Sequence, residues 1–522
     1  MTDMLRPNEM PGTSRAETHQ SMPSSLGSRA MAGGAWASAV SVFGKLTAAI
    51  SFVVMARILS EEQYAMAAFA LSASAWLIIA SPLAMSDVLI SHHTQLHQIT
   101  PIAQRYFRLS VIFSSVFLLS AITVIAIIRP QFERVTFVVL VALVGLRPLL
   151  ESLLAVPISI ARIELRYRLI SLVDGAANLT ATVLGIFAAL LGAGPFALVL
   201  PSVLSITIRA VVLRWYVSPA LPSAAIYGSS RIEAPLRRAF FRVNMAQYVH
   251  NAAFAVDMVA LGWLALPKEL GLFSFAFLLA SQSNAVIGFQ LGSVLQPIFV
   301  RLRGDRARET QAFHRVLRYV GAVMVPISVV QAAVGGSLFK LLFPDRWEAA
   351  VPAFVALSLA QGFYFAVHPT MAFLKSRRRF NLLLRWQLTH VAVSIAILLP
   401  CAAYGNAGVV AAASSGLWAC SVMTAACLAT DRGHGLRTAL LVDFARPWIV
   451  AVPVGIAIYF ASASIAEWNP WIGLPSLLAL GATGVLVSLM SNIWINRDLW
   501  KEINALLWQS IRRISTARKV PA

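Results

Sequence analysis

Residues 244–300 read NMAQYVHNAAFAVDMVALGWLALPKELGLFSFAFLLASQSNAVIGFQLGSVLQPIFV, which is two long apolar runs joined by a tight polar turn at 266–271. Each run is long enough to cross a hydrocarbon core, which takes about 20 helical residues. The first run carries a carboxylate, Asp257, near its middle. A charge at that depth costs about 2.5–3.5 kcal/mol on insertion scales, so an intramembrane acid is by default a candidate functional residue.

The composition excludes a soluble protein. Hydrophobic residues make up 58% of the chain and charged residues only 12%, whereas globular domains carry about a quarter charged residues. The net charge of +20 resides in short basic clusters between apolar runs, a pattern that orients membrane proteins, and we expect no nucleic-acid partner. The richest clusters are Arg301, Arg303, Arg306 and Arg308, then Lys375, Arg377, Arg378 and Arg379. They either set topology only or also bind anionic lipid.

Hydropathy predicts an all-α polytopic membrane protein with about fourteen transmembrane helices. The predicted spans are 34–58, 65–90, 109–128, 135–158, 169–191, 195–217, 243–265, 271–299, 319–342, 350–374, 383–403, 406–429, 447–464 and 472–495. Most lysines and arginines lie in the tails and in alternate loops, which predicts that both termini lie in the cytoplasm.

The spans predict a division of the chain into six segments. These are a disordered cytoplasmic tail at 1–30, spans one to six at 31–217, a cytoplasmic linker at 218–242, spans seven to twelve at 243–430, spans thirteen and fourteen at 431–496, and a basic amphipathic cytoplasmic tail at 497–522. Aligning the sequence of the hairpin of spans one and two with that of spans seven and eight pairs Leu59 with Leu266 and Glu62 with Glu269. Six plus six spans in the same orientation predict parallel repeats related by an axis along the membrane normal.

Several motifs then carry a family resemblance across nearly the whole chain. They are Gly34-Ala35-Trp36, the run from Ala56 through the Ser60-Glu61-Glu62-Gln63-Tyr64 turn, the Asp257 helix, Leu270 to Ala276, Pro297, Leu342-Phe343-Pro344, and Trp347 to Ala350. Together they resemble the polysaccharide and O-antigen flippases of the multidrug/oligosaccharidyl-lipid/polysaccharide exporter superfamily.

The resemblance implies two six-helix lobes around a central cavity, with two extra C-terminal helices. The implied activity is transport, not catalysis: a polyprenyl-diphosphate-linked oligosaccharide or related glycan would cross the inner membrane by alternating access, for exopolysaccharide, capsule or lipopolysaccharide biosynthesis. Membrane lipids, a polysaccharide polymerase and other biosynthesis proteins are the implied partners. The alternatives are a drug or metabolite antiporter of the same superfamily and a membrane-embedded polysaccharide polymerase or glycosyltransferase; for an enzyme, the sequence supplies neither a large outer loop nor a catalytic constellation.

Polar groups inside the spans are the candidate site residues for such a substrate. Fixed cations attract a diphosphate, and amides replace the water that sugar hydroxyls lose. The substrate-binding candidates are Lys45, Arg147, Arg209, Asn251 and Gln282. The candidates for coupling to a proton or a sodium ion are Asp257, Asp174 and Glu151. No cofactor or metal is expected.

Structural interpretations stand beside the functional ones. Arg147 and Glu151 are four residues apart and can neutralise each other on one helix. Asp174 can bridge two helices, and His250 can be a satisfied core histidine. Asp257 and Lys45 lie deep in their spans with no partner on the same helix, which favours function for both.

Overall fold

The computed structural model describes seven stretches of the chain and a few isolated positions. The stretches are 50–77, 132–163, 166–217, 248–282, 305–377, 379–430 and 434–495. The predicted tails at 1–30 and 497–522 and the predicted linker at 218–242 lie outside the described residues, so the division of the chain at those points stays a prediction.

Five described helices form the N-terminal set. They are α1 (Glu61–Leu77), α2 (Arg134–Gly145), α3 (Arg147–Ile163), α4 (Tyr167–Leu190) and α5 (Phe196–Val217). Their apolar sequences leave the backbone no solvent partner within a bilayer, so each satisfies its N–H and C=O groups internally as a helix. α5 packs against α2, α3 and α4, and α1 packs against α2.

The C-terminal set contains eight helices, followed by a final pair. The eight are α6 (Val256–Leu264), α7 (Pro267–Ala280), α8 (Arg306–Ala333), α9 (Gly335–Leu342), α10 (Val351–Tyr364), α11 (Val367–Ser376), α12 (Phe380–Ala403) and α13 (Ala407–Ala429). A short 3-10 helix, Asp345–Ala350, precedes α10, and the final pair is α14 (His434–Ile465) and α15 (Pro470–Ile495). α13 packs against α10 and α12, and α8 packs against α10 and α14.

Nine segments of the described chain are long and apolar enough to cross a membrane. They coincide with predicted spans four to six and nine to fourteen. The part of the chain that the structure describes is helical and contains no strand. The all-α polytopic prediction is therefore confirmed. The number fourteen stays a prediction, because much of spans one, two, three and eight falls outside the described stretches.

Four predicted spans are interrupted where hydropathy predicts continuous helix. The interruptions lie at Leu146 in span four, 254–255 in span seven, Val334 in span nine and 365–366 in span ten. At three of them the backbone tightens locally: an N–H bonds to the carbonyl three residues earlier, each at 3.2 Å. Because the residues at these breaks are mostly apolar, hydropathy gives no signal for them.

Predicted span nine also begins earlier than expected. Its helix starts at Arg306 rather than at 319, because the Asp305 carboxylate caps it by accepting the N–H groups of Ala307 and Arg308, each at 3.1 Å. The first turn of α8 thus carries Arg306 and Arg308 of the basic cluster.

Successive predicted spans alternate in direction, whereas the two halves of an interrupted span continue one another, so the molecule has two distinct ends. The short-turn end carries the turns at 58–60, 191–195, 265–266, 343–350, 404–406 and 466–469. The basic end carries Arg306, Arg308, Arg377 and Arg379. By the positive-inside rule the basic end corresponds to the predicted cytoplasmic face.

The N-terminal and C-terminal sets meet along α1, which packs lengthwise on α7 and touches α6. The approach is closest at Gly271 of α7, where a β-carbon would collide with the backbone carbonyl of Glu61. Gly262 of α6 similarly faces the ring of Phe69. Only glycine leaves room for backbones this close, and the same device allows close helix crossings in membranes generally.

Five aromatic side chains fill this contact near the short-turn end, and we call them the aromatic seal. They are Phe52, Tyr64, Phe275, Phe343 and Trp347. Phe275 stacks on Trp347 with ring centroids 3.9 Å apart and on Phe52 at 4.7 Å. Trp347 is completely buried. Offset and edge contacts of this kind add about 0.5–1.5 kcal/mol per pair beyond area burial.

The final helical pair is fastened to α8 and α9. The Arg318 guanidinium donates to both oxygens of Asp443, at 3.2 Å each. Ser337 donates to the carbonyl of Ser462 at 2.8 Å. These bonds attach α14 to the C-terminal set, and α15 packs against α8, α9 and α14.

Replacing Gly271 by alanine should destabilise the protein, because the new methyl group meets the Glu61 backbone and cannot move aside. Overpacking of this kind costs about 1–3 kcal/mol. Thermal unfolding in detergent should therefore begin at a lower temperature than in the wild type. Gly416→Ala is the matched control, since that helical position has open space around it. Equal unfolding temperatures for the two variants would contradict the close approach.

Candidate functional site

Two of the predicted site residues form an ion pair with each other. Arg209 on α5 and Asp174 on α4 lie 2.6 Å apart, Nε to Oδ1. One helical turn away, Ser205 donates to the side-chain oxygen of Asn178 at 2.6 Å. These two polar layers join α4 to α5. Arg209 is thus already neutralised by Asp174, which weakens both the predicted attraction of Arg209 for an anion and that of Asp174 for a cation.

The second predicted pair is looser. Arg147 and Glu151 approach to 3.9 Å on α3, in the helical spacing that the sequence indicates. Within the described stretches the Nε atoms of both Arg147 and Arg209 are buried without a hydrogen bond, but Arg209 has the closer carboxylate. Arg147 is also the first residue of α3, where the helix dipole is positive and adds to its charge. Of the two predicted arginines, both of which the structure describes, Arg147 therefore keeps the greater capacity for an anion.

The remaining substrate-binding candidates contribute less to a described site. Lys45 lies outside the described residues. The side-chain amide of Gln282 donates to the carbonyl of Leu278 in the preceding turn, at 3.0 Å. Asn251 is half-buried, and its carbonyl accepts the N–H of Phe254 at the break in span seven. The structure does not bring these amides together with Arg147.

Asp257 lies inside the C-terminal set with only 3% of its surface exposed. Its Oδ2 accepts the hydroxyl proton of Ser414 at 3.1 Å, and its Oδ1 accepts the N–H of Met258 at 2.9 Å. It occupies the first turn of α6, so the break in span seven points the positive end of a half-helix at the carboxylate. Among the described residues no lysine or arginine pairs with it. Such a carboxylate can hold a proton or a small cation.

Sequence reasoning missed Ser414 and a group of bonds at the short-turn end, which we call the clamp. The Arg346 guanidinium donates to the carbonyls of Ala56 and Arg57 at 2.9 Å and of Leu59 at 3.1 Å. The Trp347 indole donates to Ala56 at 2.8 Å. These carbonyls end the first span, where the helix dipole is negative and attracts a cation. Backbone acceptors have no sequence signature, so only the position of Trp347 in a quoted motif pointed here.

Comparisons with known proteins give one family match and two solved structures with a similar fold. A family described as polysaccharide biosynthesis protein matches residues 54–352. A solved lipid II flippase, MurJ, in an inward closed conformation superposes with a TM-score of 0.64 over 89% of this chain and 99% of its own, at 13% identity. An inward-facing multidrug-resistance transporter of the MATE family and MOP superfamily superposes with a TM-score of 0.54 over 80% of this chain and 95% of its own, at 13% identity. No curated protein sequence matches the chain. At these identities the superpositions establish a shared fold.

A double-mutant cycle tests the ion pair between Asp174 and Arg209. Either Asp174→Asn or Arg209→Gln alone should lower the free energy of unfolding by about 1 kcal/mol, the scale of strong interhelical polar contacts in membranes. Both side chains are a quarter to a third exposed, so the effect should be smaller than for a fully buried pair.

The double variant should lose less than the sum of the two single variants, as measured by denaturant unfolding in detergent. Additive losses would contradict direct pairing.

Proposed function

The chain belongs to the polysaccharide biosynthesis protein family, and on that premise we propose that it is a flippase for a lipid-linked glycan. The substrate would be an oligosaccharide carried on a polyprenyl diphosphate, and the transfer would run from the cytoplasmic to the outer leaflet of the inner membrane. The single observation that carries the proposal is the family match over residues 54–352 on a fold shared with a lipid flippase. The product would serve synthesis of an exopolysaccharide, capsule or lipopolysaccharide.

The charge distribution in the N-terminal set supports an anionic head group as cargo. Arg147 is only loosely paired and is reinforced by the helix dipole. A diphosphate could therefore bind Arg147 without first displacing a tight partner. Arg209 would join only if the substrate competes with Asp174. Lys45 remains a proposed third cation.

The clamp and the aromatic seal support transport by alternating access. They join the N-terminal and C-terminal sets at the short-turn end, which matches a conformation that admits substrate from the basic end. A neutral hydrogen bond contributes about 0.5–1.5 kcal/mol and one to a charged group about 1.5–3 kcal/mol, so the few bonds of the clamp can break within a transport cycle. Release of these contacts would expose the substrate to the outer leaflet.

Asp257 is the proposed coupling residue. It is deeply buried, has a hydroxyl and a backbone N–H as described partners, and lies at the start of a half-helix. Binding of a proton or a sodium ion would neutralise it at low cost. The pairing of Asp174 and Glu151 with arginines makes them weaker candidates.

The likeness to a MATE transporter favours one second candidate, a drug or metabolite antiporter. Deletion of the gene would then change susceptibility to cationic drugs, whereas loss of a flippase would change surface glycan and leave drug susceptibility unaltered. We propose a non-enzymatic role because the two solved structures that share the fold are a flippase and a transporter.

Inverted membrane vesicles loaded with a radiolabelled lipid-linked repeat unit test the flippase directly. Transfer into the lumenal leaflet should depend on the protein. Arg147→Gln should slow it about tenfold, the loss expected for one charge-assisted bond.

Arg308→Gln is the control, because that arginine is exposed and pairs only with the exposed Asp305 in the described contacts. Equal transfer with and without the wild-type protein would end the proposal.

Loosening the clamp should open the short-turn end. In a chain whose three native cysteines are replaced, Ser72→Cys places a thiol at the buried contact with Met258. Adding Arg346→Ala should raise the rate of labelling by an impermeant maleimide several-fold, because three carbonyls lose their donor. Lys268→Ala, at an exposed position of the same end, should not. An unchanged labelling rate with Arg346→Ala would show that the clamp does not hold this end closed.

A further inference from the structure

Three histidines converge inside the C-terminal set, where spans seven and ten are broken. His250 lies in the helical turn before α6, His368 lies on α11 and His390 lies on α12. His368, His390 and Lys375 are all close enough to act electrostatically on His250. His250 and His390 are buried, with 8% and 7% of their surfaces exposed.

Each histidine packs against one ring of an aromatic plug formed by Phe254, Tyr364 and Trp418. Within the plug, Phe254 stacks on Trp418 at 4.7 Å between centroids, and Tyr364 meets their edges at 5.1 and 5.2 Å. The imidazole centroids of His250, His368 and His390 lie 5.1, 6.0 and 4.1 Å from Phe254, Tyr364 and Trp418 respectively. The three imidazoles thus surround one plug.

Polar atoms beside the plug lack partners in the part of the chain that the structure describes. The Nε2 atom of His390 is buried without a hydrogen bond. Both amide atoms of Gln387, one turn earlier on α12, are in the same state, and that residue is 3% exposed. An unsatisfied buried polar group costs about 1–3 kcal/mol, so this site favours a small hydrogen-bonding guest such as water or a water-borne proton. No three His, Cys, Asp or Glu side chains in the described stretches are arranged to hold a metal ion.

The plug separates the imidazoles from Asp257. Phe254 lies about one turn before Asp257 in span seven, and Trp418 lies one turn after Ser414 on α13, whose hydroxyl binds Asp257. Towards the basic end the site is bounded by Lys375, in the last turn of α11. A proton moving from the basic end to Asp257 would therefore meet the histidines first.

The groups that face His250 determine what the cluster does with a proton. They are His368 and Lys375 from α11, His390 from α12 and the ring of Phe254 from the same span, while Tyr364 of α10 contacts His368 and Trp418 of α13 contacts His390. The only fixed charge among them is the positive charge of Lys375, which disfavours a stored imidazolium. The cluster is accordingly suited to passing protons on, not to holding them.

We propose that His250, His368 and His390 form a proton relay between the basic end and Asp257, so that the coupling ion is a proton. One imidazole nitrogen accepts a proton from water at the basic end while the other nitrogen releases its own. Water at Gln387 delivers protons to the imidazoles from the basic end, and water beside His390 carries the released proton past the plug to the Asp257 carboxylate. Only N–H and O–H bonds form and break. The proposal rests on the proposed role of Asp257 in coupling.

The first test needs no glycan. The full-length protein, reconstituted in phosphatidylglycerol and phosphatidylethanolamine vesicles without sodium, is subjected to a rapid drop in pH while tryptophan fluorescence is followed. The chain contains 13 tryptophans, so the signal of Trp418 is the part of the change that Trp418→Phe removes. That part should report protonation of Asp257, and Asp257→Asn should abolish it. His250→Gln and His390→Gln should slow the relaxation several-fold without reducing its amplitude, whereas misfolding would reduce the amplitude. His314→Gln, outside the cluster on α8, should relax at the wild-type rate.

A wild-type protein without the fluorescence change, or histidine variants that relax at the wild-type rate, would overturn the relay. The second measurement is the ratio of glycolipid transfer with and without an imposed pH gradient in sodium-free vesicles. A pH gradient should speed glycolipid transfer several-fold for the wild type and should not change the transfer rate for the histidine variants. A wild type accelerated only by a sodium gradient would refute proton coupling. If no glycolipid moves at all, the flippase proposal fails, and the fluorescence test still decides the relay.

Discussion

The contact between α1 and α7 is the constraint on which the described arrangement depends. Because Gly271 has no side chain, the two helix backbones can meet, and the rings of the aromatic seal fill the space beside them. The clamp adds directional bonds from Arg346 to the end of the first span. Close packing of small residues replaces the hydrophobic driving force that lipid cannot supply. The N-terminal and C-terminal sets are therefore held together at the short-turn end by shape and by a small number of breakable bonds.

The interior charges divide into compensated and weakly compensated groups. Arg318 with Asp443 and Arg377 with Glu309 form close pairs that fasten helices near the basic end, and the second pair is almost completely buried. Breaking such a pair would leave a charge in a low-dielectric interior, so these residues are explained by stability. Asp257 differs, because a hydroxyl, a backbone N–H and a helix end are its described partners. That contrast is why we propose Asp257 as the coupling residue.

Hydropathy alone predicted the described spans, because bilayer thickness fixes helix length and the apolar runs match it. Spacing on one helix also predicted the approach of Arg147 to Glu151, which the structure confirms. The pairing of Asp174 with Arg209 joins two helices, and no spacing rule links residues across a tertiary contact. The clamp was equally hidden, because Arg346 binds carbonyls that every residue carries. Breaks in spans seven and ten escaped prediction because apolar residues form them.

In the proposed transport cycle, the contact between the N-terminal and C-terminal sets must open for a lipid-linked glycan to cross. Cysteines replacing Ser72 and Met258, whose side chains touch at 2.8 Å where α1 meets α6, allow the two sets to be locked together by an oxidant or a short bifunctional crosslinker in a chain free of native cysteines. Glycolipid transfer in vesicles should stop when the two sets are crosslinked and should return after reduction. Undiminished transfer by the crosslinked protein would contradict the account.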